Sequence, residues 1–147
     1  NVVNKPLAKT FFQLVASPRF LNRYGAPEEP RDLKRLRCVV FTEYGAAKPW
    51  KFVRGEEEAS VNVMSRWRSN SGHCLLAAAR DGLGVAYLPD YYVADDIAAG
   101  RLVRVLEEWR GIERDVVAVY QNRRHLSAKV SLFVNFMQSR FGRQKPW

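Results

Sequence analysis

The hydrophobic rhythm of the chain changes twice between Asn70 and Pro89, and the changes predict a helix, a tight turn and a buried strand. Ser71 stands where a helix N-cap belongs, Leu75, Ala78 and Ala79 fall on one face at three-and-four spacing, and Gly82 supplies the residue that ends the helix. Leu83 is expected to fold back on the last turn. The run from Gly84 to Leu88 is almost wholly apolar, the pattern of a strand covered on both faces, and Pro89 closes it.

The same reading along the rest of the chain predicts an alternation of strands and helices. Residues 1–9 predict no element, and 11–16 form the first strand. Ser17-Pro18 caps a short helix over 19–23, ended by Gly25, and Pro30 opens another to Leu36. Residues 38–42 are strand-like and 42–48 read as a polar loop. Residues 50–53 and 60–64 form a hairpin around Gly55 and the run Glu56-Glu57-Glu58. Asp90 is placed to cap a helix reaching Ala99, with Gly100 at its end. Strands follow over 102–106 and, fully apolar, 116–120. Ser127 then precedes a helix whose Val130, Phe133, Val134, Met137 and Phe141 make one apolar stripe. The sum is an α/β chain with an open, mostly parallel sheet and helices on both faces.

Composition narrows the classes. Of 147 residues 47% are apolar and 12% aromatic, enough for a real core. No apolar run approaches a membrane span, and no signal-peptide pattern opens the chain, so neither a membrane partner nor secretion is expected. The two cysteines lie far apart with no pairing pattern, which makes a cytoplasmic chain the default. The net charge of +9 comes from arginines and lysines spread along the chain, the signature of a solvated surface more than of a nucleic-acid groove.

Candidate chemistry is sparse. His73 and His125 lack ligand spacing to each other or to Cys38 and Cys74, so no metal site is expected. Cys74, one turn into an apolar helix, is expected to be a buried structural thiol. The triple glutamate suits a solvated hairpin tip. Gly82-Leu83-Gly84 precedes its strand, the wrong side for a dinucleotide loop. No catalytic residue and no cofactor are predicted. Asn70-Ser71-Gly72 differs, because it sits at a helix N-terminus after a predicted strand, where α/β folds expose N–H groups to anions. Thr42, in the loop after the preceding strand, is a weaker candidate, and Ser17 is at least a cap. On the residues alone, Ser71 as a plain cap and Ser71 as part of an anion site stand level.

Asn70-Ser71-Gly72, the small-residue helix after it, and Gly82-Leu83-Gly84-Val85-Ala86-Tyr87-Leu88-Pro89 also resemble the second lobe of the effector-binding domain of LysR-type transcriptional regulators. Further pieces match in order: Val15-Ala16-Ser17-Pro18-Arg19-Phe20-Leu21, Gly25-Ala26-Pro27, Pro30-Arg31-Asp32-Leu33, Trp50-Lys51-Phe52, Gly100-Arg101-Leu102-Val103 with Leu106, and the strand at 116–120. The resemblance implies a type II periplasmic-binding-protein-like fold in which a ligand sits between two lobes joined by crossing strands. It implies that this chain holds the second lobe (about 17–115), both crossing strands (about 11–16 and 116–120) and the C-terminal helix (about 127–141), with the first lobe incomplete. That helix, lacking its partner strands, would expose Phe133, Met137 and Phe141. The implied function is sensing a small, anionic effector at Asn70, Ser71, Gly72 and Thr42, with self-association to a dimer and, at full length, a tetramer. DNA would be bound only through a helix-turn-helix domain that this sequence does not contain. A solute-binding protein of the same fold and, on the charge alone, a nucleic-acid-binding module are the alternatives.

Overall fold

The computed structural model describes residues 2–43, 45–121, 127–143 and 146–147. Two compact units emerge, one of residues 11–112 and one of residues 1–10 with 113–147. Strand β1 (Val2–Ala16) contributes to both.

In the larger unit, β2 (Cys38–Glu43) is the centre of the sheet. It runs parallel to β7 (Val85–Pro89) on one side and to β6 (Ser65–Ser69) on the other, while β1 pairs antiparallel with the far edge of β7. Short antiparallel pieces complete it: β3 (Ala46–Ala47) folds back on the end of β2, and β8 (Val103–Arg104) lies along the end of β1. The sheet is therefore parallel at its centre and mixed at its margins. All of β7 is buried, as an unbroken apolar run requires when both faces are covered.

One face of this sheet is covered by α2 (Gly72–Arg80) and α3 (Asp90–Ala98), which enclose Val15, Val39, Ala86 and Leu88. The other is covered by α1 (Pro18–Tyr24), a 3-10 turn at Pro30–Lys34 and a second small sheet of β4 (Trp50–Arg54), β5 (Glu57–Val61) and β9 (Arg110–Gly111). Ser71 Oγ accepts from the Cys74 N–H, and at the other end of α2 Gly82, at φ +74°, lets the Leu83 N–H return to the Ala78 carbonyl. Asp96, fully buried in α3, receives Arg80 at 2.7 Å and also Arg101, so one carboxylate joins α2, α3 and the chain entering β8. Burial alone would raise this carboxyl's pKa. The hydrogen bonds and charges of the two arginines outweigh it and hold the group below the ordinary carboxylate range.

The smaller unit holds the start of β1, its neighbour β10 (Glu113–Gln121) and α4 (Ala128–Arg143). Lys9 pairs with Glu113 across the two strands. On α4 Val134 is buried, whereas Leu132, Phe133 and Phe136 are 69%, 61% and 62% exposed. Met137 and Phe141 from the predicted stripe are half-buried, so the open apolar surface is centred elsewhere on the helix than the stripe suggests.

Several expectations are corrected. Residues 2–9 are strand, with exposed and half-exposed positions alternating in place of a solid apolar signal. The helix opened by Pro30 is a single 3-10 turn. Asp90 is the first helical residue and not the cap; Pro89 holds the cap position, and the Asp90 carboxylate faces the Phe11 N–H at 3.5 Å. The strand expected over 102–106 shrinks to two residues, and Leu106 takes φ +52°, which no strand accommodates. The strand expected over 116–120 is longer and alternates, with Val117 and Val119 exposed. Cys74 is exposed, because the first turn of α2 turns it to the edge of the buried face set by Leu75, Leu76 and Ala79. His125 lies outside the described residues.

Candidate functional site

The parallel pairing of β2 with β6 puts Phe41 beside Ser69, so both strands end at the same margin of the sheet. Thr42 and Asn70 are the next residues along. Thr42, expected in a loop, is instead a buried residue within β2, paired with Ala47 of β3. Asn70 is exposed and Ser71 half-exposed, on the turn that leads from β6 into α2.

Hydrogen bonding at this turn is specific. The Ser71 N–H donates to Ser69 Oγ at 3.1 Å, Ser71 Oγ accepts from the Cys74 N–H at 3.4 Å, and the Ser71 carbonyl accepts from the Leu75 N–H. Of the four N–H groups that open α2, those of Cys74 and Leu75 are thereby satisfied. Those of Gly72 and His73 have no acceptor among the described residues. They stand at the positive end of α2, two and three residues after the exposed Asn70, which is the local chemistry that receives a carboxylate or another small anion.

Tyr92, in the first turn of α3, closes one side of this turn. A Cβ on Gly72 would lie 2.5–2.9 Å from the end of its ring, so a larger residue there would require Tyr92 to move. The His73 ring meets Tyr92 edge-on at 5.1 Å, and Tyr91 leans on Tyr92 at 4.9 Å. Sequence reasoning passed over these tyrosines because they follow Asp90 in what reads as an ordinary amphipathic first turn. Gly72, directly after a capping serine, was the available hint of a close neighbour. Among the described residues no three His, Cys, Asp or Glu side chains converge as metal ligands, and no helix is long and apolar enough to cross a membrane.

A sequence profile of the LysR substrate binding domain matches residues 1–142. The chain belongs to this family. The transcriptional regulator PtxR of Pseudomonas aeruginosa is 32% identical over 130 residues, 88% of this chain and 42% of PtxR. DmlR of Escherichia coli is 33% identical over 150 residues, 99% of this chain and 48% of DmlR. Both are helix-turn-helix regulators, and the LysR-family chain described here spans less than half the length of each. Among solved structures, the CrgA regulatory domain from Neisseria meningitidis superposes with a TM-score of 0.85 at 25% identity, over 96% of this chain and 69% of that one. Full-length AphB of Vibrio cholerae superposes equally well, with a TM-score of 0.85, at 22% identity over 96% of this chain and 48% of that one, a likeness of fold. The type II periplasmic-binding-protein-like α/β architecture expected from the sequence is thus the one the chain has.

Proposed function

We propose that this LysR-family chain is the second lobe, with both crossing strands and the C-terminal helix, of the effector-binding domain of a transcriptional regulator, and that it receives a small anionic metabolite at Asn70, Ser71, Gly72 and Thr42. The observation that carries this reading is the pair of N–H groups on Gly72 and His73, which have no acceptor among the described residues, at the sheet margin where β6 ends beside β2. The strand ends deliver Thr42 and Asn70, the helix dipole favours negative charge, and Tyr92 limits the room beside Gly72. In this reading the protein acts in the cytoplasm, catalyses nothing and self-associates. Effector binding shifts the population between two oligomer arrangements that present DNA-binding domains differently. The relatives' helix-turn-helix regulators support regulation over solute transport.

Asn70→Ala is the test, since Ser71→Ala would also remove a helix cap at a cost of about 1 kcal/mol. Losing one charge-assisted hydrogen bond should cost about 1.5–3 kcal/mol, a tenfold to hundredfold loss of effector affinity by calorimetry on the intact regulator. The melting temperature should stay where it is. Unchanged affinity, or affinity and stability falling together, would make Asn70 a structural residue.

A further inference from the structure

On the opposite face of the same sheet, a cavity of about 350 Å³ lies within the 11–112 unit. Its floor is Phe12 and Leu14 of β1 and Tyr87 of β7; Phe52 and Gly111 of the small sheet and the segment 104–110 close over it. We propose that this cavity is a second ligand site, which takes a compact molecule with a flat apolar body and a carboxylate head.

The body is argued from the walls. Phe12 and Phe52 pack on Tyr87 at ring distances of 5.2 and 5.1 Å, a preformed aromatic surface, and the volume is that of a small-molecule site. The end at Gly111 is fixed, because a Cβ there would lie 2.1 Å from the Phe12 carbonyl oxygen and 2.8 Å from the Tyr87 hydroxyl. The head is argued from unmet donors. Trp109, 9% exposed, lines this cavity and also a second one beside Glu29, Arg31 and Glu57, and its buried indole N–H has no acceptor among the described residues, whereas roughly nine in ten buried polar groups have one. The ring cannot easily turn to find one: Arg54 stacks on it at 4.3 Å and is itself held by Glu29, Glu57 and Glu108. Arg104 and Arg110 also line the cavity, are exposed, and make no ion pair among the described residues; among the lining residues Glu107 is the one carboxylate. Two guanidiniums against one carboxylate favour an anion, and guanidinium binds a carboxylate in a two-pronged geometry.

Phenylacetate and phenylacetamide, alike in shape and different in charge, test this on the full chain. Nitrogen–proton correlation spectra follow the Trp109 indole N–H, assigned with Trp109→Phe or, if that variant does not fold, by its shift in Arg110→Ala. Phenylacetate should move it saturably, with phenylacetamide at least about tenfold weaker. Arg110→Ala and Arg104→Ala, both at exposed positions, should each weaken phenylacetate several-fold without changing the amide. Asn70→Ala should leave the titration unaltered, which separates this site from the one at α2. No saturable shift with phenylacetate, equal affinity for the two compounds, or loss of the response in Asn70→Ala overturns the proposal.

Discussion

Helices α2 and α4 announce themselves in the same way, by a serine followed by apolar residues at three-and-four spacing, yet their apolar faces end in different surroundings. In α2 the stripe of Leu75, Leu76, Ala78 and Ala79 is buried against β2 and β7, and a buried aspartate ties the helix to its neighbour. Among the described residues of α4 Val134 is the one that is buried, and Leu132, Phe133 and Phe136 are exposed. Periodicity reports that a helix owns an apolar face. Which side of that face is covered depends on the elements that pack on it, and those are set by chain segments far away in sequence.

The comparison can be broken by substitution. Leu75→Ala should destabilise the protein by about 2–5 kcal/mol in urea denaturation, because it empties a site closed on all sides. A cost below about 1 kcal/mol would mean that α2 is not the covered helix described here. Asp96→Ala should come next, at about 2–4 kcal/mol, since it strips the hydrogen bonds that join α2, α3 and the entry to β8, while the half-exposed arginines regain water. The pH dependence follows from the lowered pKa of Asp96. A carboxyl whose folded value lies below its unfolded one adds stability above the unfolded pKa of about 3.9, and that contribution fades as pH falls further. Asp96→Asn should therefore be less stable than the parent at neutral pH, and the gap should narrow below about pH 4. Phe136→Ser should move stability by no more than about 0.5 kcal/mol if the α4 face is open in solution. If that face is covered by self-association, light scattering of Phe136→Ser should show a smaller species than the parent. The smallest effect concerns the thiols: Cys74 should react with a thiol reagent in the native state, while burial pushes the Cys38 thiol up to about 12 and should silence it until the protein unfolds.

Much of the larger unit was legible because its signals are local. Ser17 and Ser71 cap as their positions suggest, with Oγ accepting from Phe20 and Cys74; the hairpin turns at Gly55; and β7 is an apolar run with no alternative reading. What escaped lies where tertiary context decides. Residues 2–9 carry Lys5, Pro6 and Lys9 on a strand with no fully buried position before Thr10, so its alternation of exposed and half-exposed positions leaves no strong apolar signal in the sequence. Residues 116–120 of β10 are all apolar, yet the strand keeps one side in the open. At the candidate site, Asn70, Ser71 and Gly72 are adjacent in sequence and were found as a motif. Thr42 joins them only through the β2–β6 register, and Tyr92 only through the packing of α3 on α2, relations that no spacing along the chain encodes.

The Tyr87 hydroxyl donates to the Lys51 carbonyl and accepts from the Ile112 N–H, each at 2.7 Å. Those two backbone groups belong to segments on either side of β7 in sequence, 61 residues apart, and a single side chain of β7 satisfies both. One phenol thus fastens two segments that lie far apart in sequence, the hairpin strand β4 and the exit towards β10, to the same point on β7. A phenylalanine at position 87 would keep the ring and the strand but leave both fasteners undone.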